Sequence, residues 1–516
     1  MLRIVAVGVI LVQAACLRPG SAGTTLESQG GGARFSRTTP SYWPTAGWRM
    51  STPEEQGMSS AALADAIEYA LDKHMAIHSL LIVRRGVLVL DASFYPFAPD
   101  SRHDLASVTK SVTSLLIGAA VYGQLLPGAH ATLSSLWDVR PLRADDRWNQ
   151  MTIGDLLSMR SGLDCGLRSG EAELHSMLQQ ADWMRAIMAT PMRSKPGTEF
   201  GYCSGNYHLL SAVLTHRVGM PEADYARERL FRPLGISDVH WPTDPQGNSH
   251  GWGDLQLQPT DLAKIGFLML HGGSWNGQQL VAKDWIEWST TPRSKYGDDD
   301  LYGYGWWSHP ASPPGFYEAL GRGGQRLSVW PDKDIVVVML GGGFRPGELA
   351  PFLQRALVAD SALLPSFSEN RRLSRLLLKA KASPPSVPIA FTECAKRVPQ
   401  RDFTVDRNSL GLTSFRFEFT GSDATLLDAR VGNQHLSLPI GFDGVYRFAS
   451  TRVEDIAPAA RGRWRADCTL VVELNLVGKI DNYTLEFAFE EGHARIRISE
   501  RTGLINEEAT ATAVKR

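Results

Sequence analysis

Ser107-Val108-Thr109-Lys110, at the mouth of a long apolar stretch, decides how this chain reads. Residues three apart on a helix share a face, so Lys110 stands beside Ser107 one turn on. A lysine held there with a depressed pKa can take the serine's proton and make it a nucleophile. Val112, Leu115, Leu116, Ala119 and Ala120 recur at helical spacing, with Ile117 and Val121 filling in. This helix is apolar nearly all round and is expected to run through a core. A serine at its N-terminus meets the positive end of the helix dipole, where a developing oxyanion is favoured.

A tetrad with two fixed positions arises by chance in long chains, so the rest of the sequence must support it. The 516 residues, 43% hydrophobic and 21% charged, fit an ordinary globular protein of two or more domains. A formal net charge of -1, with no long basic stripe, argues against a nucleic-acid partner. Arg3 precedes an apolar run from Ile4 to Leu11 that extends to about Cys16, too short to span a bilayer comfortably. With the small residues Gly20-Ser21-Ala22 behind it, segment 1–22 reads as an export signal. Val12-Gln13-Ala14-Ala15-Cys16 faintly resembles a lipoprotein signal, but Gln13 stands where such signals want an apolar residue. A lipid anchor on Cys16 is therefore the weaker alternative. No second apolar run is long enough for a membrane helix, so an exported, periplasmic or secreted protein without a transmembrane anchor is expected.

Setting Cys16 aside leaves Cys165, Cys203, Cys394 and Cys468, two in each presumed domain. Cys165–Cys203 and Cys394–Cys468 are the natural pairs among three connectivities; four buried free thiols are the alternative. No Cys-x-x-Cys and no His/Glu metal spacing occurs, so neither a metal nor another cofactor is expected.

Segment 23–45, with Gly30-Gly31-Gly32, reads as a flexible leader. A catalytic unit spans 46–360. In it a helical pattern covers Ala61–Lys73, and Ser79–Val83 and Val87–Leu90 form a hairpin around Arg84-Arg85-Gly86. Asp104 to about Gly272 is mostly helical. Leu327–Trp330 and Ile335–Leu340 form a second hairpin, followed by a helix near Phe352–Val358. Strands at both ends with helices between predict an α+β fold whose sheet joins the two chain ends. Segment 361–387 reads as a linker whose short helix carries Arg371, Arg372, Arg375, Lys379 and Lys381 on a solvated face; a membrane-surface helix is the alternative. Segment 388–510 is β-rich, with alternating runs such as Phe415–Phe419 and Tyr483–Phe489, and carries no chemistry of its own.

Several ordered segments then carry a resemblance. They are Asp104-Leu105-Ala106-Ser107-Val108-Thr109-Lys110-Ser111, Met151–Leu163, Pro196-Gly197-Thr198-Glu199-Phe200-Gly201-Tyr202-Cys203-Ser204 and Leu257–Gly266. Over roughly Met50 to Ala359 the chain resembles the serine β-lactamase-related hydrolases, especially the class C-like branch of esterases, D-amino-peptidases and oligoamide hydrolases. The resemblance implies a β-lactamase/DD-peptidase-like fold, an antiparallel sheet flanked by helices plus a mostly helical subdomain, followed here by the C-terminal β-rich domain.

In that family a Tyr-x-Asn motif supplies a tyrosine that serves as, or helps, the general base and later protonates the leaving group. Tyr202 matches, and Lys110 nearby can lower its phenol from the usual ~10. Ser204 replaces the asparagine, and Asn206 is the residue that can compensate. The family's Lys-Thr-Gly or His-x-Gly motif corresponds to Ala319–Gln325, where Arg322, Gly323, Gly324 and Gln325 replace it. The glycines let substrate approach backbone, and an N–H of this stretch with that of Ser107 is expected to form an oxyanion hole. Arg322 is a candidate to bind a substrate carboxylate, with a solvated turn residue as the equal alternative.

The expected activity is a serine hydrolase of small-molecule esters or amides. A D,D-peptidase or β-lactamase, and a non-catalytic binding or sensor protein on the same fold, are the alternatives. Gly247-Asn248-Ser249-His250-Gly251 matches a second serine motif, but no strand precedes it and no apolar helix follows. Trp252, Tyr302, Tyr304, Trp306 and Trp307 either wall an apolar cleft or pack in the core. The sequence carries nothing on oligomeric state.

Overall fold

The computed structural model describes residues 35–36, 39–137, 145–165, 172–297, 300–387, 393–419, 424–431, 434–450, 452 and 456–514. The export signal, Cys16 and most of the leader lie outside the described residues.

The first helix, α1 (Ser60–Asp72), starts where the Ser59 hydroxyl accepts the Ala62 N–H at 3.3 Å. The two expected hairpins are β1 (Ile77–Arg84) with β2 (Val87–Ser93), and β7 (Gln325–Trp330) with β8 (Ile335–Gly341). Between them run β3 (Ser294–Tyr296), β4 (Asp300–Tyr302), β5 (Trp307–Ser308) and β6 (Tyr317–Gly321). These eight strands form one antiparallel sheet in the order β2-β1-β8-β7-β6-β5-β4-β3. The β1–β8 pairing, Leu81 opposite Val338, joins the two ends of the unit.

Every residue of β1 is buried, because helices cover both faces. Leu81 and Val83 enter the larger core, which also holds α2 (Thr109–Tyr122), α3 (Ser204–Val218) and α4 (Pro259–Leu270). Leu80 and Ile82 alternate into a smaller core against α1. Among the described residues no helix is long and apolar enough to cross a membrane.

Two stretches read as loose chain are packed. Trp43 and Trp48 lie against the larger core; the Trp48 indole N–H donates to the Thr260 carbonyl at 3.0 Å, and Trp275 donates to Thr45 Oγ1 at 2.9 Å. Two large aromatics so close to the leader's end anchor it by burying apolar area. The basic helix α5 (Phe367–Lys381) exposes Arg371, Arg375, Lys379 and Lys381 to solvent, but its other face is packed. Its Leu373, Leu376 and Ala380 join the smaller core, while Arg372 pairs with Asp65 and Glu68 of α1.

Among the described residues the C-terminal domain is a ten-stranded sheet that closes into a barrel. In chain order the strands are β9 (Phe403–Val405), β10 (Leu412–Phe419), β11 (Ala424–Val431), β12 (Gln434–Gly441), β13 (Arg447–Phe448), β14 (Pro458–Trp464), β15 (Leu470–Leu476), β16 (Asn482–Glu490), β17 (His493–Glu500) and β18 (Asn506–Ala513). A parallel pairing of Ile440 with Ala460, between β12 and β14, closes the ring. Alternate residues such as Phe415, Phe417, Leu485 and Phe487 fill its interior. Strand β18 extends past residue 510 to Ala513, because β9 pairs with it there. Disulfides join Cys165 to Cys203 and Cys394 to Cys468.

Candidate active site

The Asp104 carboxylate accepts the Ala106 N–H at 2.8 Å and turns the chain sharply. Ala106 takes a left-handed φ of 45°, and a single 3-10 turn, Ala106–Val108, delivers Ser107 to the start of α2. Lys110 follows one turn later and is 1% exposed. Its Nζ donates to Ser107 Oγ at 2.9 Å and to the Trp252 carbonyl at 2.8 Å. The same nitrogen lies 5.0 Å from the Tyr202 ring centroid and 6.0 Å from that of Tyr207.

The two tyrosines are not equivalent. Burial pushes the Tyr207 phenol well above its usual range, and its hydroxyl donates to the Leu157 carbonyl at 2.8 Å. Tyr207 is therefore a wall. Tyr202 lines the cleft together with Ser107, its ring near-parallel to that of Trp307 at 6.2 Å. Tyr202 enters α3 through Cys203, which the bond to Cys165 ties down.

The opposite wall is the turn from β6 into β7. Gly323 has φ 77°, and a Cβ there would come within 2.4 Å of Ile480; at Gly324, φ 97°, it would come within 2.6 Å of the Phe344 ring. Both left-handed backbone and crowding demand glycine. The Gln325 side chain donates to the Gly341 carbonyl at 2.6 Å and accepts the Gly341 N–H at 2.9 Å. It locks this edge onto β8, so what Gln325 offers the cleft is backbone.

Arg322 is held by the barrel. Its guanidinium donates to Asp481 at 2.8 Å and to Thr502 Oγ1 at 3.0 Å, with Glu500 at 4.0 Å. On the same side the Gly478 carbonyl accepts the Asp104 N–H at 2.7 Å, and Lys479 lies 3.7 Å from the Asp104 carboxylate. Burial pushes the Asp104 carboxyl up to about 6, with Lys479 pulling the other way. Two turns of the barrel thus grip both the approach to Ser107 and the glycine edge.

Ser107, Tyr202, Arg322, Gly323, Gly324 and Gln325 all border one cavity of about 760 Å³. Ser204 does not border it; it is buried at the first turn of α3, facing a smaller void beside the Cys165–Cys203 bond. Asn206 does not stand in for the missing asparagine, since its amide turns to Met159 Sδ at 3.7 Å. Ser249 is fully buried, its Oγ accepting the Ala223 N–H at 3.0 Å, and serves as packing. Of the five aromatics only Trp307 reaches the cleft; Trp252, Tyr302, Tyr304 and Trp306 are core.

Sequence reading missed the Trp252 carbonyl that holds Lys110, and every contribution from the barrel. In the sequence Trp252 reads only as an aromatic. Asp481, Arg501 and Thr502 lie more than 370 residues after Ser107, in turns with no local signal of chemistry.

The model of the family described as Beta-lactamase matches residues 63–359, more than half of the chain. The 6-aminohexanoate-dimer hydrolase of Paenarthrobacter ureafaciens is 27% identical over 287 residues, covering 50% of this chain and 71% of that protein. Protein flp of Staphylococcus aureus (strain MW2) is 27% identical over 202 residues, covering 37% of this chain and 40% of flp. Among solved structures, EstCE1, a hydrolase with promiscuous acyltransferase activity, superimposes with a TM-score of 0.50 at 17% identity, over 58% of this chain and 99% of EstCE1. The chain belongs to the Beta-lactamase family of serine hydrolases.

Proposed function

We propose that this protein hydrolyses ester or amide bonds through an acyl-enzyme on Ser107, with Lys110 and Tyr202 exchanging the protons. The observation that carries the reading is the 2.9 Å contact from Lys110 Nζ to Ser107 Oγ at the floor of a cleft that Tyr202 also lines. Ser107 Oγ attacks the carbonyl carbon and passes its proton to Lys110 or Tyr202. The oxyanion is held by the Ser107 N–H and an N–H of the Gly323–Gln325 edge. The tetrahedral intermediate collapses, and the leaving alcohol or amine departs with a proton from Tyr202 or Lys110. Water repeats the sequence on the acyl-enzyme, releasing the acid and restoring the serine.

The ion pair of Arg322 with Asp481 favours an esterase or amidase over a β-lactamase or D,D-peptidase. The cation at the third motif already has its carboxylate, so it offers little to a second one beside the scissile bond. The similarity to a 6-aminohexanoate-dimer hydrolase supports amides as well as esters. A panel of nitrophenyl esters, anilides and β-lactams tests the reading, with Ser107→Ala as control. Turnover of esters or amides that vanishes in the variant is expected; a β-lactam preference would overturn the assignment of class.

A further inference from the structure

The cleft is far more cationic than the chain that forms it. The whole sequence carries a net charge of -1, yet among the described residues the cavity is lined by Arg322, Arg326, Arg345 and Arg501 against a single carboxylate, Asp300. That carboxylate is already engaged, 2.8 Å from His309 Nδ1. Two of the arginines are engaged as well: Arg322 by Asp481, and Arg326 by Glu318 at 3.5 Å.

Arg345 and Arg501 differ. Both are exposed, and Arg501 donates to the His74 main-chain carbonyl at 3.2 Å, which leaves its charge uncompensated by that contact. They stand on facing turns. Arg345 follows Gly343-Phe344 at the end of β8, and a Cβ on Gly343 would meet the Arg501 side chain at 3.3 Å and that of Thr502 at 3.2 Å. The Gly343 N–H in turn donates to the Gly323 carbonyl at 3.0 Å. A rim shared by both domains is thereby fixed to the glycine edge of the catalytic site.

We propose that Arg345 and Arg501 form a specificity subsite for a carboxylate carried by the substrate on a part remote from the scissile bond. This rests on the acyl-enzyme reading above. Guanidinium forks bind carboxylates in two parallel hydrogen bonds, and two such forks at the mouth of a low-dielectric cleft attract anions from solution. The barrel domain then has a substrate-facing role: it ties down Arg322 with Asp481 and supplies Arg501 in a different place. The preferred substrate is an ester or amide bearing a free acid.

The test compares paired nitrophenyl esters identical but for their ends, one a free carboxylate and the other its carboxamide. One pair places the group on the acyl side and a second on the leaving alcohol. For at least one pair, wild-type kcat/KM is expected to favour the carboxylate by about tenfold, falling with added salt. In Arg501→Gln the ratio moves toward one. Arg345→Gln, on the other domain, must do the same, so a docking defect in the first variant does not decide the matter. Equal rates for acid and amide in both pairs, or a preference that survives either substitution, would overturn the subsite. No hydrolysis of any of the esters, with Ser107 unreactive to an acylating probe, overturns the acyl-enzyme reading and takes the subsite with it.

Discussion

Arg322 and Asp481 meet at 2.8 Å across the junction of the two domains, where the Asp481 side chain is buried and that of Arg322 is 10% exposed. Removing one partner strands the other charge out of water. Asp481→Ala is expected to cost about 3–5 kcal/mol in a denaturant titration. The double variant Arg322→Met/Asp481→Leu should recover most of that loss, since apolar groups of similar volume carry no desolvation penalty. A cost under about 0.5 kcal/mol for the single change would place the pair among weak surface contacts instead.

Lys110 donates to Ser107 Oγ and to the Trp252 carbonyl, acceptors that a longer guanidinium cannot satisfy in the same space. Lys110→Met should lower kcat by about 10²–10⁴-fold, and Lys110→Arg should fail to restore it. Tyr202→Phe removes only the hydroxyl, so a comparable drop in kcat with intact stability would identify that oxygen as a proton carrier. Full activity in Tyr202→Phe would leave the task to Lys110.

The Cys165–Cys203 bond closes a loop of 38 residues whose far end abuts Tyr202. Cys165→Ser/Cys203→Ser is expected to lose about 3–4 kcal/mol of stability. Because Tyr202 is the neighbouring residue, kcat should fall as well in protein still folded by circular dichroism. Unchanged kcat in the folded variant would reduce the bond to a staple of the fold.

His309 sits between Asp300 and Glu318, and hydrogen bonds to the two carboxylates push its pKa up to about 9 from an ordinary 6.5. The folded state then binds more protons than the unfolded one between those values. The stabilisation is complete below pH 6.5 and is lost as pH rises through 9. Stability of the wild type should decline over that interval, and His309→Asn should flatten the decline. Parallel slopes in the two proteins would contradict it.

Much of this was legible in the sequence, and the reasons are local. Both hairpins carry their own turn chemistry, Arg84-Arg85-Gly86 and Pro331–Asp334, beside β-branched runs that have only one good register. The nearness of Lys110 to Ser107 follows from a spacing of one helical turn. The short strands β3 to β6 were not visible, since two- to five-residue strands among aromatics and glycines lack a period to detect. Arg322 could be found at the cleft but not its fate, because Asp481 lies 159 residues away on a different fold. The same holds for α5: its leucines mark an apolar stripe, but that this stripe meets α1 is a fact of tertiary packing.

The most direct measurement is the intact mass of the protein after exposure to a fluorophosphonate, beside Ser107→Ala. The account predicts a single adduct on the wild type and none on the variant. An adduct that persists in Ser107→Ala, or no adduct on either protein, would contradict the assignment of Ser107 as the nucleophile.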